Sequence, residues 1–346
     1  MMITTFGTAP NGEGVFLVKL DNGVIACEII TYGAAIRALT VPDRNGNPVD
    51  VALGYDTLEE YIRHDGYLGA TIGRFANRIA HGQFRLNGRN YTLATNNGSN
   101  HLHGGLQGFS HRCWHISQCD NHAVTLTLSS ADGEEGYPGR LECSVQFKLE
   151  DRSLIVRYHA TSDQDTPCNL TNHSYFNLAG HDSGSVLNQT IQLLAEHYTP
   201  GNEESIPFGT IEPVANTPMD LRTPTPIGAH IQDDFDQLNY ARGYDHNYVV
   251  GREIGMLRPI AQAYAPTTGI TLQVETTLPG VHFYTANYLP QGRTGKGGCL
   301  YGPRHGFCLE TQFYPDAPNQ PAFPSAVLKA GADYTHCTVF RFPVAH

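Results

Sequence analysis

Hydrophobic and polar residues alternate with a period of two along much of the chain. Residues 124–129, 143–149 and 271–275 each direct apolar side chains to one face and polar side chains to the other. Such alternation is typical of β-strands that are buried on one face only. Residues 154–161 and 307–313 are further strand-like runs. The pattern therefore predicts an all-β fold class.

Short turn signals separate the predicted strands. Asn87-Gly88 lies between residues 83–86 and 91–93, and this dipeptide favours a β-hairpin loop. Asn22-Gly23 and Asn45-Gly46 are similar signals. Strands that recur about every ten residues, with few helices between them, indicate a sandwich of antiparallel sheets. In such a fold, function is expected on loops at the sheet ends or on a concave sheet face.

Helical signals are sparse. Residues 56–59 resemble a capping arrangement that opens a short helix through Tyr61 and Ile62, and residues 75–80 are predicted to form another turn or two of helix. There is no internal repeat and no linker-like segment, and the Pro-rich residues 199–226 are interpreted as a long surface excursion. Residues 1–346 are therefore expected to form a single domain.

Composition restricts the class of partner. Charged residues make up 16% of the chain and hydrophobic residues 40%, which indicates a globular protein with a substantial core. The formal net charge of -11 disfavours nucleic acid and anionic membranes as partners, so a neutral small molecule is expected. The N-terminus lacks the pattern of a signal peptide, and no apolar run is long enough to span a bilayer. We therefore expect a cytoplasmic protein that is a monomer or a homodimer.

Eight cysteines are spread along the chain without a C-x-x-C pair. This spacing is unlike a zinc ribbon or a small disulfide scaffold, and we interpret the cysteines as reduced, mostly buried thiols. Their even number leaves disulfides open if the protein is exported. The cysteines are Cys27, Cys113, Cys119, Cys143, Cys168, Cys299, Cys308 and Cys337.

One run, residues 171–178, concentrates an imidazole, amides, hydroxyls and two aromatic rings. It follows a predicted strand and precedes a flexible segment, so its side chains are expected to face a cleft at a strand end. His173 has the type of side chain that gives or takes a proton near neutral pH, because a free imidazole has a pKa of about 6.5. The alternative is a surface or hydrogen-bonded core histidine, as one of 17 in the chain.

Four further runs carry polar groups: residues 73–79, 100–105, 243–246 and 306–312. Their guanidinium, amide and carboxylate groups are planar and multidentate, which suits the neighbouring hydroxyls of a sugar. Structural alternatives stand beside this interpretation. Arg74 and Arg78 would flank a salt bridge if they lay on one helical turn. Asp245 would be a turn-forming residue whose side chain bonds nearby backbone.

Two more alternatives concern metal binding and burial. His101 and His103 would form a metal-binding pair if their segment were extended, but no third or fourth ligand is evident, so no metal site is predicted. Glu310 lies in a strand-like run. If that strand is central, Glu310 is a desolvated base with a raised pKa; if it is an edge strand, Glu310 is solvated.

Five runs together resemble the aldose 1-epimerases, also called galactose mutarotases. The runs occur in the order of that family, and the similarity extends from about Tyr32 to about Phe323. The resemblance implies a large antiparallel β-sandwich, the galactose mutarotase-like supersandwich. It also implies interconversion of the α and β anomers of a free aldose such as galactose or glucose without a cofactor. The runs are residues 73–79, 100–105, 171–178, 243–246 and 309–312.

The same resemblance assigns roles by position. It implies that His173 is the general acid and Glu310 the general base. His282 departs from the family pattern, because several relatives are expected to have a sugar-binding glutamine there, so it bears on substrate preference. The sugar contacts implied by the resemblance are Asn77, Arg78, His103, Ser174, Tyr175 and Asp245, with His282 at the position of the expected glutamine.

Elementary chemistry agrees with an acid and a base. Anomer exchange requires removal of the C1 hydroxyl proton and protonation of the ring oxygen, after which the open chain rotates and closes on the other face. Three other functions remain open at this stage. A glycoside hydrolase would use Asp245 and Glu310 as its carboxylate pair. A sugar-phosphate epimerase would need more cationic groups. A non-catalytic carbohydrate-binding protein would use the same pocket.

Overall fold

Antiparallel strands are the main regular secondary structure of the chain. The computed structural model describes residues 2–64, 66–251 and 253–344. In the first half the strands are β1 (Met2–Thr8), β2 (Gly14–Asp21), β3 (Ala26–Ile30), β4 (Ala35–Pro42), β5 (Pro48–Asp50), β6 (Thr71–Ile72), β7 (Arg78–Ile79), β8 (Gln83–Leu86), β9 (Arg89–Thr92), β10 (His101–Leu102), β11 (His115–Cys119), β12 (Ala123–Ser130), β13 (Leu141–Glu150) and β14 (Ser153–Ser162). In the second half they are β15 (Thr166–Pro167), β16 (Thr171–Asn172), β17 (Thr190–Leu193), β18 (His197–Thr199), β19 (Glu212–Pro213), β20 (Thr225–Pro226), β21 (Asp245–Val249), β22 (Arg258–Tyr264), β23 (Thr271–Thr276), β24 (Gly280–Tyr284), β25 (Arg293–Thr294), β26 (Leu300–Tyr301), β27 (Cys308–Gln312), β28 (Val327–Leu328) and β29 (Asp333–Arg341).

The strands form three large sheets and several two-stranded pairs. The first sheet has the order β1-β2-β3-β4-β5. The second has nine strands in the order β11-β12-β13-β14-β29-β23-β22-β17-β20, and the third has the order β19-β18-β21-β24-β27. The predicted hairpin is confirmed as β8 and β9, with Leu86 paired to Arg89 across Asn87-Gly88. The all-β prediction is therefore confirmed, and the architecture is an antiparallel sandwich.

Alternation along the strands produces the core. In β13, Leu141, Cys143, Val145, Phe147 and Leu149 are buried, whereas the residues between them are exposed or half-buried. Successive side chains of a strand point to opposite faces, so this pattern covers one face of the nine-stranded sheet with apolar groups. Full burial of one such side chain stabilises the fold by about 1.5–3 kcal/mol. The core therefore lies between the sheet faces, as the period of two predicts.

Helices are short in the described part of the chain. They are α1 (Leu58–Arg63) and α2 (Asp236–Ala241), with 3₁₀ turns at Ala80–Gly82, Phe109–His111, Glu134–Gly136, Lys296–Gly298 and Ala317–Asn319. The predicted short helix is confirmed, but its capping box lies one residue later than the predicted residues 56–59, because Thr57 and Glu60 form the reciprocal pair at the start of α1. Neither α-helix among the described residues has the length and apolar character needed to cross a membrane.

The helix predicted for residues 75–80 is wrong. Asn77 has a φ of 64°, a left-handed conformation that interrupts a right-handed helix. The Ala76 N–H donates to the Asn169 carbonyl instead of to an earlier turn. Arg78 then opens β7 rather than lying on a helical face with Arg74.

Arg74 is a buried hydrogen-bond donor and forms no ion pair with any residue that the structure describes. Its side chain is buried, and one guanidinium nitrogen donates to the carbonyls of Pro138 and Gly139 at 2.9 and 2.8 Å. The other terminal nitrogen donates to the Ser130 hydroxyl at 2.6 Å. A guanidinium presents five N–H groups, which suits it to joining several carbonyls at once. In place of the salt bridge considered as an alternative from sequence, the Arg74 guanidinium joins the end of β12 to the loop at Pro138 and Gly139.

The Pro-rich segment is only partly a surface excursion. Val214, Met219 and Leu221 are buried in the apolar core. Glu203 and Glu204 are exposed, and they reach the edge of the cavity described below. The segment therefore anchors itself in the core and also contributes to the cavity.

All eight cysteines are free thiols, as the sequence predicts. Five of them are buried: Cys27, Cys113, Cys143, Cys168 and Cys308.

Candidate active site

A cavity of about 690 Å³ opens over one face of the third sheet. Two strand registers bring its polar groups together: His282 on β24 pairs with Glu310 on β27, and Asp245 on β21 pairs with Tyr284. Directly paired residues of antiparallel strands point to the same face. The cavity is lined by all but one of the residues implied by the resemblance, namely Asn77, Arg78, His103, His173, Tyr175, Asp245, His282 and Glu310.

Glu310 is buried although its strand is the outermost of the third sheet. Glu310 is only 1% exposed because β16 packs against β27. In addition, Phe176 forms a β-bridge with Phe307, the residue immediately before β27. The expectation that an edge position leaves Glu310 solvated is therefore wrong. Burial raises the pKa of Glu310 well above 4.5, the nearby charge of Asp245 raises it further, and Arg78 opposes them. Its Oε2 atom lies buried without a hydrogen-bond partner among the described residues.

His173 faces Glu310 from the end of β16. Its Nε2 atom lies 3.6 Å from Oε1 of Glu310, and burial lowers the pKa of His173 to about 4. The ring stacks against Tyr67 and Tyr175, with centroids 5.8 and 5.0 Å away. Asn172 fixes the strand end, since its amide donates to the Gly69 carbonyl at 2.7 Å. The strand end predicted from sequence is thus confirmed, and it holds the imidazole in place.

The opposite pKa shifts of Glu310 and His173 have one cause, which is that burial disfavours the charged form of each. At pH values between the two pKa values, the pair shares one proton. That proton is placed either as carboxyl and neutral imidazole or as carboxylate and imidazolium. Because these two arrangements differ by one proton transfer, the pair can accept a proton at one atom and donate one at another.

His103 is held as a neutral hydrogen-bond donor. The Asn77 N–H donates to Nδ1 of His103 at 3.1 Å, so the neutral ring carries its proton on Nε2. Burial lowers the pKa of His103 well below 6.5, and the neighbouring His173 lowers it further. The segment after His103 can pack directly against the backbone at Gly73 because residue 104 is a glycine. Gly104 has a φ of 87°, and a Cβ there would lie 1.8 Å from the Gly73 carbonyl oxygen.

His103, His173 and Glu310 also bring three possible ligand atoms within 4.8 Å of one another. A metal needs an unprotonated nitrogen, yet Nδ1 of His103 already accepts the Asn77 N–H and Nε2 carries the proton in the neutral ring. The geometry therefore favours proton transfer over metal ligation at these three residues. The absence of a metal remains a prediction.

The pair of His101 and His103 considered from sequence does not form. His101 is fully buried, its Nδ1 lies 2.6 Å from the Ala94 carbonyl and its Nε2 lies 2.6 Å from the Tyr137 hydroxyl. β10 ends at Leu102, and His103 has a φ of 51°, so the alternation that would align the two rings is broken.

Asp245 and His282 form the second buried pair of the cavity. Nε2 of His282 lies 2.7 Å from Oδ1 of Asp245. Burial by itself would raise the pKa of Asp245, but the hydrogen bond and charge of His282, assisted by Arg78, lower it to about 2. Asp245 is thus an ionised acceptor at neutral pH. It opens strand β21, so the turn-forming role considered from sequence is wrong.

Two predicted residues differ in placement. Arg78 is half-buried at the cavity wall, and its Nε donates to Oδ1 of Asn97 at 3.0 Å, a bond that does not use the two terminal nitrogens of the guanidinium. Ser174 does not line the cavity. Its hydroxyl donates to Oδ1 of Asn172 at 2.6 Å, so it stabilises the strand end below His173.

Sequence reasoning missed several residues that line the cavity. Tyr284 lies two residues after His282 on the same strand, so the period of two was a signal that could have found it. No local signal marked Glu203 and Glu204, because they reach the cavity from the Pro-rich segment. The missed residues include Tyr67, Asn96, Asn97, His111, Glu203, Glu204, Tyr284, Tyr288 and Arg293.

Known proteins resemble this chain over almost its whole length. The family model described as aldose 1-epimerase matches residues 17–341. A galactose mutarotase from Bos taurus is 44% identical over 341 residues, with 98% of both chains covered. An aldose 1-epimerase from Escherichia coli is 35% identical over 346 residues, with 99% of both chains covered.

Solved structures also share the fold. An aldose epimerase homologue from C. elegans superposes with a TM-score of 0.87 at 27% identity, covering 95% of this chain and 99% of that chain. A galactose 1-epimerase from Lactobacillus acidophilus superposes with a TM-score of 0.85 at 26% identity, covering 100% of this chain and 99% of that chain.

Proposed function

The chain belongs to the aldose 1-epimerase family, and from that premise we propose that it interconverts the α and β anomers of free aldohexoses such as galactose and glucose. It is therefore an enzyme of the isomerase class. One observation carries the proposal in this chain: Nε2 of His173 and Oε1 of Glu310 lie 3.6 Å apart at the cavity wall. The two oxygens that exchange protons in anomer interconversion are both bonded to C1, so a closely spaced acid and base match them.

The proposed reaction begins with the C1 hydroxyl beside Glu310. Oε2 of Glu310 lies buried without a partner among the described residues, so a substrate hydroxyl that donates to it would stabilise the carboxylate and shift the shared proton to His173. Glu310 then takes the C1 hydroxyl proton while His173 gives its proton to the ring oxygen. The C1–O5 bond breaks, and an aldehyde and a C5 hydroxyl form.

Reclosure reverses the two roles. Rotation about the C1–C2 bond presents the other face of the aldehyde, and the C5 hydroxyl returns its proton to His173 as it attacks C1. Glu310 returns its proton to the C1 oxygen, which yields the other anomer. The pair finishes with the proton count it began with, so a proton donor and a proton acceptor suffice and we propose that no cofactor or metal takes part.

The remaining polar groups are proposed to hold the sugar. The protonated Nε2 of neutral His103 is a donor suited to the ring-oxygen region, and ionised Asp245 is an acceptor for a pair of hydroxyls. Arg78 and Asn77 would bind hydroxyls remote from C1. Tyr175 contributes an aromatic wall beside His173, whereas Ser174 would act only by supporting the strand end. Fixed positions of this kind lower the entropic cost of reaching the transition state.

The charge of the cavity favours a neutral sugar over a phosphorylated one. Among the described residues that line it, three carboxylates, Glu203, Glu204 and Asp245, stand against two arginines, Arg78 and Arg293, and the shared proton leaves the pair of Glu310 and His173 without net charge. A phosphate group usually requires an excess of cationic donors. We therefore favour aldose interconversion over the alternative of a sugar-phosphate epimerase.

The test is polarimetry on freshly dissolved α-galactose, α-glucose, xylose and arabinose, with glucose 6-phosphate and aryl glycosides beside them. We expect the decay of optical rotation to accelerate in proportion to protein concentration for free aldoses, with little acceleration for the phosphate. If the protein releases phenol from aryl glycosides but leaves the mutarotation of α-glucose at its spontaneous rate, it is a hydrolase. Sugar binding without acceleration would show a non-catalytic binding protein.

The pH dependence of kcat/KM is expected to be a bell. Below the His173 pKa of about 4 the pair holds two protons and Glu310 cannot act as base, so activity falls. Above the raised pKa of Glu310 the pair holds no proton and His173 cannot act as acid, so activity falls again. Initial rates from pH 3.5 to 9, corrected for spontaneous mutarotation, measure both limbs. A single ionisation at about 6.5, as for an exposed histidine, would contradict the coupled pair.

Substrate preference is proposed to depend on His282. Its Nε2 is engaged by Asp245, and its buried Nδ1 has no partner among the described residues. A glutamine amide presents donors and an acceptor in a different arrangement. We expect His282→Gln to change the ratio of kcat/KM for galactose over glucose by several-fold while activity is retained, as measured by polarimetry of each sugar. An unchanged ratio across the aldose panel would rule His282 out as a determinant of preference.

We propose that residues 1–346 act as a single domain. The supporting observations are one apolar cluster that includes side chains from Val18 to Phe342, and a cavity lined by residues from Gly66 to Glu310. A cytoplasmic location, a monomeric or homodimeric state, and the absence of nucleic-acid and membrane partners complete the proposal. The formal net charge of -11 supports the last of these.

A further inference from the structure

We propose that Cys308 is a positioning residue that determines which ring nitrogen of His173 carries the proton. This inference rests on the proposed function, in which His173 is the proton donor to the ring oxygen. It adds a residue outside the lining of the cavity.

A single strand contacts both nitrogens of the imidazole. Cys308 and Glu310 are two residues apart on β27, so their side chains point to the same face, and both are buried. Sγ of Cys308 lies 3.5 Å from Nδ1 of His173, while Oε1 of Glu310 lies 3.6 Å from Nε2. The sulfur distance is within hydrogen-bond range. The imidazole is thus held between a thiol and a carboxyl group.

The thiol can serve both protonation states of the ring. Burial raises the pKa of Cys308 well above 9.0, so the group remains S–H at neutral pH. When His173 is neutral, S–H donates to Nδ1, and the ring proton must reside on Nε2, which faces Glu310. When His173 is an imidazolium, Nδ1–H donates to the sulfur, which is a weak acceptor. Both donor and acceptor capacity are needed, because His173 alternates between these states in each turnover.

The weakness of the thiol suits this role. A carboxylate beside Nδ1 would strongly stabilise the imidazolium, as carboxylates do in charge-assisted pairs, and so would oppose proton release from His173. An apolar side chain would remove the thiol as the hydrogen-bond partner of the buried Nδ1 atom, and buried polar atoms are destabilising when they lose a partner. Cys308 lies between these extremes. It selects the tautomer without holding the proton.

The test compares Cys308→Ala with Cys308→Ser, because a hydroxyl keeps both a donor and an acceptor. Cys143→Ala is the matched control, since Cys143 is a buried thiol of the nine-stranded sheet that hydrogen-bonds the Leu128 carbonyl. The readouts are kcat for galactose and the ¹⁵N chemical shifts of the imidazole nitrogens in histidine-labelled protein. The His173 signals are identified by their loss in His173→Asn.

We expect Cys308→Ala to lower kcat about tenfold with little change in KM, in the range typical for residues that orient a functional imidazole. The spectrum should change from the Nε2–H tautomer to a mixture. Cys308→Ser should retain the Nε2–H tautomer and most of the activity, and Cys143→Ala should match wild type in both readouts.

A wild-type kcat and tautomer in Cys308→Ala would overturn the proposal and leave Cys308 as core packing. If the alanine variant does not fold, loss of the Nε2–H tautomer in folded Cys308→Ser would overturn it equally. The role of Cys308 and the proposed function are tested by different variants. An inactive His173→Asn beside a normal Cys308→Ala would remove only the role of Cys308, whereas a fully active His173→Asn would remove the role of His173 itself.

Discussion

Replacing Glu310 with glutamine is expected to lower kcat for galactose anomer exchange at least about 10²-fold, with KM close to wild type. Glutamine has nearly the shape of glutamate but cannot take the C1 hydroxyl proton. The carboxyl of Glu310 lies buried beside His173, so bulk water has little access to replace it as base. Polarimetric initial rates at saturating galactose measure the loss. Glu275→Gln on β23, outside the cavity, is the matched control and should retain wild-type activity.

The same substitution gives a stability readout with a defined sign. Burial raises the pKa of Glu310 in the folded state, whereas an unfolded glutamate has a pKa of about 4.3. As pH rises above that unfolded value, the unfolded state releases its proton first, so wild-type stability falls with pH until the raised folded pKa is passed. Glu310→Gln lacks this penalty. Its Tm relative to wild type should therefore be higher at pH 8 than at pH 4.5.

Activity and stability together distinguish a base from a structural residue. A variant that is inactive yet gains stability relative to wild type as pH rises has lost chemistry and not its fold. Near-normal kcat in Glu310→Gln would remove Glu310 as the base. An equal Tm difference at both pH values would contradict the raised pKa.

Replacing His173 with asparagine is the second substitution with a large expected effect, again at least about 10²-fold in kcat. Asparagine keeps a hydrogen-bond donor beside Glu310 but has no ionisable proton. The sugar ring would therefore have to open without an acid that protonates its ring oxygen. The neighbouring neutral His103 should not replace it, because burial lowers the pKa of His103 well below 6.5 and makes its imidazolium scarce. Initial rates with galactose and glucose measure the change.

His336→Asn is the control for this substitution. His336 is a buried histidine on β29, outside the cavity, and its Nδ1 lies 3.1 Å from the Thr277 hydroxyl. Its replacement should alter Tm but leave kcat unchanged. Comparable losses of kcat in both variants would indicate that His173→Asn acts through the fold, and near-normal turnover in His173→Asn would remove His173 as the acid.

Local pattern predicted the strands because burial on one face imposes a period of two. It also predicted α1 from residues 56–59, and the capping box that starts this helix, Thr57 with Glu60, lies one residue later. It was wrong for residues 75–80, where the left-handed Asn77 is stabilised by a distant partner: the Asn77 N–H donates to the His103 ring. A contact 26 residues away in sequence is not visible in a local window.

The sequence did not decide whether Glu310 is buried or solvated, for the same reason. Local alternation places its side chain on a face, but the cover of that face comes from β16 and Phe176, far away in the chain. The glutamates of the Pro-rich segment reach the cavity by tertiary folding alone. Residue types and motif order predicted eight of the residues that line the cavity, whereas the pairings around it, such as Asp245 with His282 and Cys308 with His173, required the three-dimensional arrangement.

Exchange NMR on galactose in D₂O tests whether the pair of His173 and Glu310 opens the sugar ring by acid–base chemistry. Wild-type protein is expected to accelerate exchange between the C1–H signals of the α and β anomers, with both C1–H and C2–H retained, because protons move only between the sugar oxygens and this pair. Glu310→Gln should return exchange to near its spontaneous rate. If anomer exchange in the presence of wild-type protein stays at its spontaneous rate, or if deuterium appears at C1 or C2, acid–base ring opening by this pair is contradicted.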